Sequence, residues 1–132
     1  MSVVSPALWT ACGQGRVAEV RQLLADGADI EERGGPGAFT TPLLFAASNS
    51  HVLVARVLLE HGVDVSARDI CGSTPLHWAA IQGLDEMTRL LPAYGADVSS
   101  KSIAGWTPED LATSFSHPQV AAMLKAERVC RA

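Results

Sequence analysis

A spacing of 33 residues recurs along this chain and limits its possible folds more than any other feature. Thr74-Pro75-Leu76 repeats Thr41-Pro42-Leu43 at this distance, and a partial copy, Thr107-Pro108-Glu109, follows after another 33 residues. A Gly-x-Asp-hydrophobic element keeps the same distance between Gly62 and Gly95. A repeat of this length is typical of a solenoid, in which each unit buries its apolar face only against its neighbours.

The first unit is offset from the others by two residues. Its copy of the second element, at Gly27, lies 35 residues before Gly62, and the two extra residues fall in the Gly-rich stretch 34–39. This stretch lacks the Lys-Ser/Thr pair of a phosphate-binding loop. It therefore predicts a widened turn between the first two units.

Each unit predicts a first helix with a defined start and end. The hydroxyl of Thr74 can accept a backbone N–H of the first helical turn, and Pro75 suits the first helical position, where its missing N–H costs nothing. Leu76 and the pair Ala79-Ala80 then lie on one helix face. Gly83 is expected to end this helix.

A second helix is predicted from about Leu84 to Ala93, and its apolar stripe is formed by Met87, Leu90 and Leu91. Pro92 lies late in this segment, where a proline inside a helix costs about 3 kcal/mol. We therefore expect this helix to be bent or to end early, near Leu91.

The tripeptide, the alanine pair and the Gly-x-Asp element recur in one register, and together they resemble the ankyrin repeat. The resemblance extends from about Pro6 to Ala126. It implies an all-α solenoid of four stacked helix-turn-helix repeats joined by β-turn hairpin loops. The expected organisation is a single domain, residues 1–132, with repeats at about 5–33, 36–68, 69–101 and 102–127.

Composition agrees with closely packed helices and excludes several functions. The chain is 48% hydrophobic but only 5% aromatic, so its core must be built from Leu, Val and Ala. A net charge of −4 argues against a nucleic-acid partner, and no apolar run approaches the roughly 20 residues of a membrane span. An odd number of cysteines and the lack of a signal-peptide pattern favour an intracellular protein, cytoplasmic or nuclear. A monomer is expected.

Cys71 and His77 form the only local pair that could support nucleophilic or metal chemistry. Two ligands do not make a zinc site, and we expect no enzyme activity, no metal and no cofactor. The resemblance implies instead that Thr74 and His77 are scaffold residues, bonding around the helix start and between repeats. The other repeats have Trp9, Leu44 and Asp110 in the position of His77. A metal- or thiol-dependent protein that uses Cys71 and His77 is kept as an alternative.

The resemblance also implies that a partner protein binds the hairpin tips and the first helices. Transferred to this sequence, these positions predict ten partner-binding residues: Thr40, Asn49, Ile70, Cys71, Ser73, Ile81, Gln82, Ile103, Trp106 and Phe115. The expected function is a non-enzymatic protein-interaction module, whether adaptor, inhibitor or assembly scaffold.

Five members of this set are apolar and belong to the C-terminal half of the chain, and an exposed apolar patch is a sign of an interface. Two alternatives stay open. Ile70 and Ile103 lie one repeat apart and could pack against each other between hairpins, or the patch could pair with itself in a structural oligomer. Trp78, which precedes the alanine pair, is expected in the core together with Phe45.

Overall fold

The computed structural model describes residues 8–34 and 40–131, so most of the Gly-rich stretch lies outside the described residues. Within the described ranges the secondary structure is helical apart from one isolated bridge between Gly34 and Thr40. The helices are α1 (Leu8–Gly13), α2 (Val17–Ala25), α3 (Pro42–Ser48), α4 (Val52–Glu60), α5 (Pro75–Gln82), α6 (Asp85–Ala93), α7 (Pro108–Ser114) and α8 (Pro118–Arg131). The predicted all-α class is confirmed.

The helices form two layers. The first helices of the units, α1, α3, α5 and α7, contact each other in chain order, and the second helices α2, α4, α6 and α8 do the same. Each unit therefore packs against the units before and after it, which is the contact pattern of a solenoid. None of the described helices combines the length and the apolar content that crossing a bilayer requires.

Small residues in the first helices allow the layers to approach closely. The pairs Ala46-Ala47 and Ala79-Ala80 are wholly buried, and Leu43 and Leu76, one turn earlier, are buried with them. The second helices contribute larger side chains to the same core, of which Leu58 and Met87 are fully buried. Burial of each of these large apolar side chains stabilises the fold by about 1.5–3 kcal/mol.

Threonine side chains start three of the first helices, as predicted. The hydroxyls of Thr41, Thr74 and Thr107 each accept a hydrogen bond from the backbone N–H three residues later, and proline follows each threonine. Gly83 closes α5 in the left-handed conformation, with φ of 70°. The predicted bounds of this helix are therefore confirmed.

Of the two outcomes expected at Pro92, an early end of α6 is wrong, while a bend stays a prediction. The helix continues to Ala93 with Pro92 inside it, and the proline ring is buried. Proline lacks one backbone N–H at any position, so Pro92 removes one helical hydrogen bond, and as the second-last residue it leaves only Ala93 of the helix beyond it. The carbonyl of Leu91 still accepts the N–H groups of Tyr94 and Ala96, and these bonds close the helix.

Candidate partner-binding site

An open apolar groove of about 460 Å³ lies between the hairpins that precede α5 and α7. We call residues 69–73 the third hairpin, residues 102–106 the fourth hairpin, and the space between them the C-terminal groove. Ile81 of α5 and Leu111 of α7 form its floor. Six of the ten sequence-predicted binding residues line this groove: Ile70, Cys71, Ser73, Ile81, Ile103 and Trp106.

The rim of the C-terminal groove presents large apolar side chains to solvent. Ile103 is 80% exposed, Ile70 is 65% exposed and Trp106 is 46% exposed. Ser73, which was expected at the surface, is only 8% exposed, because its backbone is drawn into the hairpin turn. The structure brings these residues together as the repeat register predicted, while their role in binding stays a prediction.

The carboxylate of Asp69 shapes the third hairpin. One oxygen accepts the backbone N–H groups of Cys71, at 2.9 Å, and Ser73, at 3.0 Å. The other oxygen accepts the indole N–H of Trp78 at 3.0 Å. Trp78, which was expected in the core, is partly buried and packs against it, while its indole N–H is bonded to the hairpin.

The third and fourth hairpins are bonded to each other. The N–H of Ile103 donates to the carbonyl of Cys71 at 3.0 Å. The side chain of Ile103 also covers Gly72, where an added Cβ would lie 3.0 Å from Cγ1 of the isoleucine. Ile103 thus uses one edge to hold the two hairpins together and still presents most of its surface outwards.

His77 lies beneath this groove and is wholly buried. Nδ1 accepts the backbone N–H of Thr74 at 3.1 Å and faces its hydroxyl at 2.8 Å, while Nε2 lies 2.9 Å from the carbonyl oxygen of Trp106. Nδ1 as acceptor fixes the tautomer, so Nε2–H donates to Trp106. Burial lowers the pKa of His77, and the positive charge of Arg68 adds to this effect.

The same geometry argues against chemistry at Cys71 and His77. Both ring nitrogens of His77 already have partners, so neither is available to accept a proton from a thiol. Cys71 is exposed, whereas His77 is completely covered. All three cysteines are free thiols, and within residues 8–34 and 40–131 no group of three or more His, Cys, Asp or Glu side chains could hold a metal ion.

Two predicted binding residues lie at the other end of the same face. Asn49 lines a smaller depression of about 260 Å³, in which the rings of Trp9 and Phe45 stack with centroids 5.0 Å apart. Thr40 pairs with Gly34 in the isolated bridge nearby. Sequence reasoning missed this aromatic pair. The sequence pattern that could have predicted it is a tryptophan in the first repeat, at the position equivalent to His77, together with a phenylalanine at the next position of the second repeat.

Two further predicted residues lie outside both depressions. The carboxamide of Gln82 is hydrogen-bonded to the preceding repeat. Nε2 donates to the carbonyls of Ala47 and Ser48 at 2.9 Å each, and Oε1 accepts a hydrogen bond from the hydroxyl of Ser50. These bonds favour a structural role for Gln82 over the predicted binding role. Phe115 is half exposed just after α7 and does not line the groove.

Comparison with known proteins identifies the repeat type. A family model described as ankyrin repeats (many copies) matches residues 46–91. The human ankyrin repeat and KH domain-containing protein 1 is 45% identical over 67 residues, which are 51% of this chain and 3% of that protein. The Drosophila melanogaster ankyrin repeat and KH domain-containing protein mask is 45% identical over 64 residues, which are 48% of this chain and 2% of that protein.

A plant relative matches over a similar length. The probable E3 ubiquitin-protein ligase XBOS33 of Oryza sativa subsp. japonica is 36% identical over 67 residues, or 51% of this chain and 13% of that protein. The chain therefore spans only a small part of each of these relatives.

Proposed function

Because this chain is an ankyrin-repeat protein, we propose that it binds a partner protein through the C-terminal groove. Ankyrin repeats are generally protein–protein interaction modules and are generally not enzymes. The observation that carries the proposal is the exposure of Ile70, Ile103 and Trp106 on the rim of one groove. Apolar and aromatic side chains in this arrangement are typical anchors of an interface.

The rigidity of the groove supports this role. Asp69 fixes the third hairpin, Ile103 bonds the fourth hairpin to the third, and His77 bonds the fourth hairpin to α5. A preformed surface loses little conformational freedom when it binds, so more of the contact energy appears as affinity. The proposed mechanism is the presentation of this surface in an adaptor, an inhibitor or an assembly scaffold, in the cytoplasm or the nucleus.

The proposal is tested by comparing the proteins captured from cell extract by the wild type and by an Ile70→Asp, Ile103→Asp, Trp106→Ala variant. A control variant, Leu53→Asp with Val129→Asp, changes exposed apolar residues of α4 and α8 outside the groove. Circular dichroism establishes that each variant is folded. A partner that is lost only from the groove variant supports the proposal, and a partner that both variants retain excludes the groove as its site.

Self-association through the same exposed rim is the second candidate. It predicts a concentration-dependent solution mass that the groove variant reduces to the monomer value and the control variant leaves unchanged. Sedimentation of the three proteins over a hundredfold range of concentration measures this. A monomeric mass for the wild type throughout the range excludes the oligomer.

A further inference from the structure

The contact that His77 makes beneath the C-terminal groove depends on the protonation state of an imidazole. Its ring joins the start of α5 to the fourth hairpin through a single neutral tautomer, with Nδ1 accepting from Thr74 and Nε2–H donating to Trp106. Trp106 lines the groove, so the imidazole bonds directly to the backbone of a groove residue.

The other repeats fill this position with residues that do not titrate near neutral pH. Leu44 takes it in the second repeat and is buried without a polar contact of its side chain, since only its backbone N–H bonds to Thr41. Asp110 takes it in the fourth repeat, where its carboxylate accepts the N–H of Thr107 at 3.0 Å. These hydrogen bonds hold the pKa of Asp110 below its usual range, so its cap persists in mild acid.

Protonation would change what the ring of His77 can do. The imidazolium is a donor at both nitrogens, so the Thr74 N–H that now donates to Nδ1 would lose its acceptor, and the Nδ1–H would be left with the Thr74 hydroxyl oxygen, 2.8 Å away, in its place. A cation also has no access to water in a site that is completely covered, and burying an unpaired charge is costly. The ring can be hydrated only if a covering segment moves, and the fourth hairpin is the segment bonded to Nε2.

Charged groups around His77 do not offset this cost. The third hairpin and the residue before it supply Asp69 and Arg68, whose effects oppose each other, and the Asp69 carboxylate already accepts three N–H groups. No other residue of α5 is charged, α3 has no charged residue, and neither has the fourth hairpin, which follows Lys101. The second helix packed against α5, α6, carries Asp85, Glu86 and Arg89, and Glu86 pairs with Arg56 of α4 at 2.8 Å. In α7, Asp110 caps its own helix and Glu109 pairs with Arg128 of α8 at 3.1 Å.

We propose that neutral His77 is a pH-sensitive link between α5 and the fourth hairpin, so that mild acid releases Trp106 and opens the C-terminal groove. The consequence for binding rests on the function proposed above: the partner would dissociate as the pH falls below the ordinary histidine value of 6.5. The His77 link can be measured in the free protein, so it can be disproved without disproving partner binding through the groove, and the reverse also holds.

The link is tested on the free protein by ¹H–¹⁵N correlation spectra between pH 7.5 and pH 5. We expect the indole signal of Trp106, assigned with a Trp106→Phe variant, and the amide of Ile103 to shift or broaden below pH 6.5. The amide of Val54 in α4 reports on the rest of the stack and should stay in place. Movement of all three signals together would mean global unfolding and would overturn the proposal.

Two variants isolate the ring. His77→Gln can still donate to the Trp106 carbonyl and accept from Thr74 but cannot ionise, so its Trp106 signal should not change over this range. His117→Gln is the matched control, because His117 also bonds a neighbouring repeat through Nε2, at 2.9 Å from the carbonyl of Ile81. It should keep the wild-type transition. A transition that survives in His77→Gln contradicts the link.

A ring measurement covers the case in which His77→Gln does not fold. Long-range ¹H–¹⁵N spectra of the wild type report the tautomer and charge of each imidazole. We expect His77 to be the Nε2–H tautomer at pH 7.5 and to gain a proton only together with the change at Trp106. A ring that becomes charged while the Trp106 signal is constant would overturn the proposal.

Discussion

At the scale of single residues, the turn between the two helices of each repeat has a fixed conformation. Gly15, Ser50, Gly83 and Ser116 occupy equivalent positions, and all four have φ between 63° and 72°. Serine tolerates this left-handed conformation in the second and fourth repeats. At Gly15 and Gly83 a side chain is also excluded by lack of space, because a histidine ring from the next repeat lies against each of them.

We expect Gly83→Ala to lower the free energy of unfolding by more than its backbone strain alone. A non-glycine residue at positive φ costs about 1–2 kcal/mol. A Cβ at this position would also lie 2.5 Å from Nδ1 of His117. The control is Gly62→Ala, which has φ of 81° and no atom within 4 Å of the added Cβ. Urea unfolding of both variants isolates the ring contact, and equal losses would show that the ring moves aside freely.

Thiol reactivity should separate the three cysteines. Cys12 is fully buried, and burial together with the nearby Glu32 raises its pKa to about 12, whereas Cys71 and Cys130 are exposed. Because the thiolate is the reactive form, a disulfide reagent at pH 8 should label two thiols quickly and the third only after denaturation. Three equally fast thiols in the native protein would contradict the burial of Cys12.

The raised pKa of Cys12 also predicts an alkaline loss of stability. The unfolded thiol ionises near its usual value of 9.0, while the folded thiol keeps its proton until about 12. The folded state therefore binds more protons in this window, so the contribution of Cys12 is complete below pH 9 and falls as the pH rises. A Cys12→Ala variant measured beside the wild type at pH 8 and pH 10.5 should lose less stability between the two values.

At the scale of elements, the third hairpin depends on one side chain. We expect Asp69→Ala to cost about 1–3 kcal/mol, because three N–H groups lose their acceptor. Asp97→Ala is a graded control, since one oxygen of Asp97 accepts the backbone N–H of Ser99 at 2.9 Å. In thermal unfolding, the melting temperature of Asp69→Ala should be well below that of Asp97→Ala. The reverse order would contradict the geometry.

The sequence predicts helix starts better than helix ends. Each Thr-Pro pair acts within one turn, so Thr74 and Pro75 could be placed from local chemistry alone. The early end expected at Pro92 does not occur because Pro92 is followed by only one residue of α6, so the crowding of its ring against the preceding turn has little helix beyond it to displace. Burial of the ring offsets part of the cost of the missing N–H.

The C-terminal groove was predictable to the extent that the repeat register determines which residues line it. Ile70 and Ile103 occupy equivalent positions, so once one of them is assigned to a hairpin tip, the repeat assigns the other to the next tip. Gln82 could not be assigned in this way, because its partners are carbonyls of the preceding repeat. The stacking of Trp9 on Phe45 depends on the packing of two first helices, which no local pattern reveals.

At the scale of the whole molecule, the interface between the second and third repeats offers a test of cooperativity. Gln82 bonds Ala47 and Ser48 across it, and Arg56 pairs with Glu86 at 2.8 Å on the outer surface. In a stack where each repeat contacts only its neighbours, the interfaces join the repeats into one cooperative unit. Weakening a central interface should therefore separate the unfolding of the two halves as well as lowering the total stability.

We expect Gln82→Ala to cost about 1–3 kcal/mol and to broaden the urea transition, with a smaller apparent m value, because two partly buried carbonyls lose a donor. Arg56→Ala removes an exposed ion pair at the same interface and should cost at most about 1 kcal/mol with no change in m. Fluorescence reports on Trp9 in the first repeat and on Trp78 and Trp106 in the second half of the chain. Circular dichroism reports on all helices, so a separated transition appears as different midpoints for the two probes. Coincident midpoints in Gln82→Ala would mean that the remaining contacts between the two repeats, of α3 with α5 and of α4 with α6, are enough to keep the stack cooperative.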